Sequence, residues 1–182
     1  YTLSDDMKNW SDFELINFIP NWKDKDSYYS PEISQYPDTN LYIGFPSYFK
    51  ENDKGNMKTK LIISNNAKDF YIHDYIIDEN YNNYCGNKFF LINDVFHFYI
   101  FENPFKKNIK LTRYSIDKDR LLSITCGKNI GEFTTKYLLN IENNQIIINF
   151  KTYDNGYIKF ELLDSNKVLY KNYCFKNCEI LN

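Results

Sequence analysis

The chain has 182 residues, a formal net charge of −2 and 19% aromatic residues, with 17 Tyr and 15 Phe. Its basic residues cluster no more densely than Lys106, Lys107 and Lys110, which argues against nucleic acid, whose phosphates demand grouped Lys and Arg. No apolar run approaches the ~20 residues of a membrane-spanning helix, so a soluble chain is expected. With 6 Gly and 5 Pro it is neither collagen-like nor low-complexity.

In chain order, the first element is a turn. SDDMKNW, from Ser4 to Trp10, carries a hydroxyl and an Asx side chain two residues apart, a pair that hydrogen-bonds its own backbone into a tight turn. Asp12 to Ile19 has room for a turn or two of helix. LYIGF (Leu41 to Phe45) and KLIIS (Lys60 to Ser64) read as strands. The second of these runs into SNNAKDF, from Ser64 to Phe70, a repeat of the first turn 60 positions on. FYIHDYII alternates from Phe70 to Ile77. The runs from Lys88 to Ile92 and from Val95 to Phe101 pair across Asn93-Asp94, a hairpin signal. Turn locks repeated about once per four-stranded sheet are how β-propellers mark their blades.

A second region is expected from about Leu111, with the boundary between Lys106 and Arg120. Short strand signals (LLSIT, YLLNI, QIIINF, YIKFELL, VLYKNYCF) are separated by turns such as Asp154-Asn155-Gly156. Their spacing of 8–12 residues predicts a β-sandwich. Alternation places Leu122, Ile124, Leu138, Ile146, Ile148, Phe160, Leu162 and Leu169 in its core.

The stretch from Asp26 to Phe49 resembles a blade of the five-bladed β-propeller superfamily of glycoside hydrolase families 32 and 43. The shared features fall on Asp26, Tyr28, Pro31, Tyr36-Pro37 and the strand Tyr42 to Pro46. The Ser4 and Ser64 turns are similar to the "SxDGxxW/F" turns flanking such blades, with Asn66 and Ala67 departing in the second. Further on, RLLSI, GEFTTKYLL and the run from Ile146 to Leu181 resemble the β-sandwich appended to these propellers, with Asn149, Gly156, Glu161 and Asp164 on matching positions.

The resemblance implies an all-β chain. Residues 1–110 would be a partial propeller of about two last blades, and residues 111–182 a C-terminal β-sandwich. It also implies that the complete protein hydrolyses glycosidic bonds. The family's catalytic carboxylates sit mainly in earlier blades, in "NDPNG", "RDP" and "ECP" motifs, and none of those strings occurs here. No catalytic residue transfers. The chain begins at Tyr1 without an initiator Met, and a piece of a longer protein is expected.

Glycosidases need two carboxylates roughly 5–9.5 Å apart across the scissile bond. The best acids by position are Asp26 and Glu32. Family 43 enzymes place their general acid just before an "AP" pair, but here Tyr29 precedes Ser30-Pro31. Asp26 and Glu32 are therefore expected as pocket or turn residues rather than catalysts. Tyr28, Tyr29 and Tyr36 are candidates to stack on sugar rings, with ordinary blade packing as the alternative. These five residues are the candidate substrate-binding wall.

His73 and His97, 24 positions apart, lack metal-pair spacing, and Cys85, Cys126, Cys174 and Cys178 match no zinc pattern. Free thiols are expected, a disulfide framework being open but unsupported. No Gly-rich phosphate loop occurs, so neither metal nor organic cofactor is expected. Three functions compete: the C-terminal portion of a glycosidase-like protein acting on a glycan, a non-catalytic carbohydrate-binding or adhesion module, and a structural component of a larger assembly. In the last, a partner chain or an upstream segment supplies the missing blades.

Overall fold

A computed structural model of the chain describes residues 2–20, 26–50, 56–75, 82–86, 88–127, 130–136, 146, 148–152 and 155–178. It is all-β. Among the described residues there are eleven strands, a 3-10 turn at Lys171–Tyr173, no closed barrel and no helix long and apolar enough to cross a membrane. The chain divides into two compact units, residues 1–118 and 119–182.

The first unit holds all eleven strands. β2 (Asp26–Tyr29) and β3 (Ser34–Gln35) are two pieces of one run, interrupted at residues 30–33. β4 (Tyr42–Gly44) and β5 (Ser47–Lys50) are likewise parted by Phe45-Pro46, where proline has no N–H to give a ladder. β2 pairs β5 and β3 pairs β4. Both β4 and β5 then pair the long β6 (Met57–Ser64), and β6 pairs β7 (Asp69–Tyr75). Every one of those pairings is antiparallel, so the run is a four-stranded up-and-down meander.

β1 (Asn17–Ile19) joins its edge in parallel to β7. The helix expected over residues 12–19 is absent. Asn17 lies in the β7 ladder instead, its Nδ2 donating to Asp69 Oδ1 at 2.6 Å, so long-range pairing overrides the weak local preference.

A second meander follows. β8 (Asn83–Cys85) and β9 (Phe90–Ile92) both pair β10 (Val95–Glu102), which pairs β11 (Lys110–Asp117), again all antiparallel. The β9–β10 hairpin turns on Asn93 and Asp94 with φ of 50° and 60°, the left-handed pair that a two-residue hairpin needs. Leu111, where the second region was expected to begin, lies inside β11.

Strand alternation builds the core. On β10, Phe96, Phe98 and Ile100 are buried while their odd-numbered neighbours face the other way. Phe96 and Phe98, with Phe89, meet the first sheet through Phe45 and Tyr36. Ring centroids lie 5.2 Å apart for Phe45–Phe98, 5.9 Å for Phe45–Phe89 and 5.0 Å for Tyr36–Phe96. A second cluster, Phe18, Ile62 and Phe70 with Tyr28 and Ile72 packed on it, fastens β1 to its sheet. Burying each such ring is worth about 1.5–3 kcal/mol.

Two buried asparagines stitch the sheets. Asn82 Oδ1 accepts from Met57 N–H at 2.8 Å, and Asn83 Oδ1 accepts from Thr59 N–H at 2.6 Å. They satisfy β6 backbone donors along the half of β6 that lies beyond the described end of β7, where an unpaired buried N–H would cost about 1–3 kcal/mol.

The second unit corrects an expectation. Its described residues carry one isolated bridge, Leu163 to Leu169, around a turn in which Asp164 Oδ1 accepts from the N–H groups of Asn166 and Val168. Leu122, Ile124, Ile146, Ile148, Leu162 and Leu169, expected in a sandwich core, are 36–73% exposed, and Phe160 is half-buried. Leu138 lies outside the described residues. Alternation fixes which side chains share a face, but a face becomes core only when another layer covers it.

Candidate functional site

The repeated motif folds twice into the same turn. In the first copy, Asp6 Oδ1 accepts from the backbone N–H groups of Lys8 and Asn9, both at 2.8 Å, and the Ser4 hydroxyl donates to the same oxygen at 3.2 Å. In the second, Asn66 Oδ1 accepts from Lys68 N–H at 3.0 Å, Asp69 N–H at 2.8 Å and the Ser64 hydroxyl at 2.9 Å. Each turn passes through one left-handed residue, Met7 at φ 60° and Ala67 at φ 57°. That is the position at which the resembled motif has Gly, which adopts such φ without strain.

The hairpin registers also agree. Ser11 N–H donates to Leu3 O at 2.8 Å, and 60 positions on Ile63 pairs with Tyr71. The aromatics differ, since Phe70 is fully buried and Trp10 is 54% exposed.

Hydrogen bonding acidifies both turns. The Asn9 and Lys8 N–H groups, then the Asn9 side chain, lower the Asp6 pKa from 3.8 to about 2. Asp69 is also lowered, first by the Asn17 amide and then by Asn66, whose Nδ2 donates to it at 2.8 Å. Lys68 and Glu14 add an exposed ion pair at 3.0 Å, of the kind that contributes little to stability.

Between β2 and β3 the chain makes an arch. Ser30 and Glu32 both take positive φ, 42° and 44°, on either side of Pro31. Left-handed backbone costs a non-glycine residue roughly 1–2 kcal/mol, and such outliers persist only where their surroundings hold them. Phe45 N–H donates to Pro31 O at 2.7 Å, and a Cβ on Gly44 would lie 2.6 Å from that same oxygen, so only glycine fits beneath the arch. From the second sheet, the Tyr84 hydroxyl donates to Ser30 Oγ at 3.2 Å.

The five candidate residues separate around this arch. Tyr29, 58% exposed, and half-buried Glu32 flank Ser30-Pro31 at the surface. Tyr28 is packed between Phe18 and Tyr48, its ring centroid 5.0 and 5.4 Å from theirs. Tyr36 is buried against Phe96 and Phe89 in the other cluster. Asp26 opens β2 opposite Lys50. The structure thus leaves Tyr29 exposed and Glu32 half-buried on either side of Ser30-Pro31, and turns the rings of Tyr28 and Tyr36 into two separate cores.

Sequence reasoning passed over Ser30 and Tyr84. The X-Pro step at Ser30-Pro31 was the available signal for the first, because a residue before proline is pushed away from helical backbone. Nothing local signals Tyr84, whose role comes from a contact 54 residues away.

An open depression of ≈ 410 Å³ lies on the β3–β4 loop, lined by residues 35–40. Its polar groups serve the loop itself: Gln35 Nε2 donates to Thr39 O at 2.7 Å and Thr39 Oγ1 to Tyr36 O at 3.0 Å. His97 stacks on Phe90 at 5.6 Å, with Nδ1 buried and without a hydrogen-bond partner. Among the described residues no group of His, Cys, Asp and Glu is placed to hold a metal ion, and none of the four cysteines is joined in a disulfide.

A scan against models of protein families, a search of curated proteins and a search of solved structures each find no match.

Proposed function

We propose that this chain is the C-terminal portion of a glycosidase-like, carbohydrate-active protein, and that it contributes a sugar-binding wall rather than the catalytic acids. In this reading the two meanders are consecutive blades of a five-bladed-type β-propeller, and the appended β-sandwich lies toward the C-terminus. The repeated turn lock, with the same hydrogen bonds and hairpin register 60 residues apart, supports a blade-like repeat, its Ser64 copy joining β6 to β7 and its Ser4 copy preceding the first meander.

One observation carries the functional part. The first strand of the four-stranded meander, which in a propeller lies nearest the axis, breaks into a strained arch that presents Tyr29 to solvent beside Glu32. An exposed phenol ring offers a face for sugar C–H groups and a hydroxyl tip for hydrogen bonds. Glu32 adds a carboxylate that accepts from ring hydroxyls. Hydrolysis needs a second facing carboxylate, which in this reading comes from blades outside this chain.

A structural role in a larger assembly is favoured by a different observation. Ile92 and Leu111 are exposed on the outer face of the second sheet, beside half-buried Val95 and Phe101, and a further blade from an upstream segment or a partner chain would cover them.

A glycan array probed with the whole chain, run beside hydrolysis assays on the same glycans, tests the proposal. Weak, saturable glycan binding without turnover is expected. Robust turnover that survives Glu32→Gln and Asp26→Asn together would place the chemistry elsewhere.

A further inference from the structure

The arch at Ser30–Glu32 has three restraints, and they are not equivalent. The Phe45 N–H bond to Pro31 O and the close approach over Gly44 come from the neighbouring strand of the same sheet. The third comes across from the second sheet, where Tyr84 of β8 reaches Ser30 Oγ. The Tyr84 backbone is paired with Phe101, and its ring rests 6.2 Å from that ring. Phenylalanine would keep both relations. The hydroxyl is therefore not needed for the sheet, and the arch accounts for it.

The direction of this bond matters. Tyr84 Oη lies 3.2 Å from Ser30 Oγ, and when the phenol donates, the serine keeps its own proton to donate onward. A hydroxyl that already accepts a hydrogen bond is polarised to donate a stronger one. The exposed ring of Tyr29 is the preceding residue, and Glu32 stands two residues on.

We propose that Tyr84 is a positioning residue that holds the arch from the neighbouring sheet, and that Ser30 Oγ–H is the donor to a ligand hydroxyl. The ligand class is a polyhydroxylated ring laid on Tyr29, with one ligand hydroxyl accepting from Ser30 and another donating to Glu32. The ligand part of this proposal rests on the carbohydrate reading, whereas the positioning part does not. It makes the inner edge of one sheet depend on a hydroxyl from the next, so the contact surface exists only when the two meanders are packed.

The test uses the whole chain and three variants: Tyr84→Phe, Ser30→Ala and the double variant. In the ligand-free protein, amide exchange at Phe45 reports opening of the arch, with the β10–β11 amides as internal reference. Each single variant is expected to speed exchange at Phe45 about fivefold, the size of one lost hydrogen bond. The double variant should be no faster than either single one, because both remove the same bond. Unchanged exchange at Phe45 in both single variants overturns the positioning role.

A second arm titrates methyl glycosides of pentoses and hexoses at millimolar concentration. Wild-type binding that weakens about tenfold in Ser30→Ala, and by less in Tyr84→Phe, supports the ligand contact. Equal affinity in all three variants, with Phe45 exchange accelerated, leaves a purely structural bond and overturns that contact. Absence of binding by the wild type overturns the carbohydrate reading and the Ser30 contact together, while the exchange arm still decides the role of Tyr84.

Discussion

The turns at Ser4 and Ser64 make the same bonds and lead to opposite fates. In both, an Asx oxygen collects two backbone N–H groups and a serine hydroxyl, and one residue passes through left-handed backbone. Yet the second delivers Phe70 to full burial beside Phe18 and Ile62, while the first leaves Trp10 more than half exposed. Local side-chain chemistry is enough to shape a turn. Whether its aromatic contributes to stability depends on a sheet to receive it, and β1, β6 and β7 provide one only for the second copy.

The largest expected effect breaks this symmetry directly. Phe70→Ala should destabilise the first unit by about 3–5 kcal/mol, the range for deleting a buried ring, whereas Trp10→Ala should change stability by under about 0.5 kcal/mol. Denaturant titration of each variant measures both. Equal costs would mean that Trp10 packs on a surface in solution.

The two halves of the chain differ in the same way. Ile100, fully buried on β10, should cost about 2–5 kcal/mol on substitution by Ala. Ile148, 36% exposed, should cost less than about 1 kcal/mol. A large loss at Ile148 would show that a layer covers it and would restore the expected sandwich core.

The smallest effect separates the turns by pH. The Asp6 pKa falls from 3.8 to about 2 on folding, so its contribution is complete above the unfolded value and is lost as pH falls toward 2. The corresponding oxygen in the second turn belongs to Asn66 and does not titrate, although Asp69 beside it is also depressed and follows the same sign. Protection from amide exchange at Lys8 and Asn9, taken relative to the intrinsic rate at each pH, should therefore fall on acidification more than at Lys68. Asp6→Asn should remove the difference, and persistence of the difference in that variant would assign it to another group.

Much of the first unit was legible in the sequence, for reasons tied to particular residues. Ser-x-Asx is a turn because its bonds close within six residues. Asn93-Asp94 forms the β9–β10 hairpin because both residues accept positive φ. The alternation of Val95 to Phe101 survives because one face meets Phe45 and Tyr36. What stayed hidden depends on distant partners. β1 exists through its parallel pairing with β7, Asn82 and Asn83 act on a strand some 25 residues earlier, and the arch is held by Tyr84. Of the candidate site, Tyr29 is exposed and Glu32 half-buried on either side of the arch. Periodicity could not tell them from Tyr28 and Tyr36, because the arch that breaks the alternation is a feature of backbone strain. In the second half, the described residues of the alternating faces remain exposed or half-buried.

The central claim is that the Tyr29 ring is a sugar platform on the inner edge of the first meander. Calorimetric titration of the whole chain with the glycan that the array selects, repeated with Tyr29→Ala, tests it most directly. The account predicts weak saturable binding that falls by about tenfold or more, roughly 1.4 kcal/mol, when the ring is removed. Undiminished affinity in Tyr29→Ala, or no binding by the unaltered chain to any glycan, would contradict it.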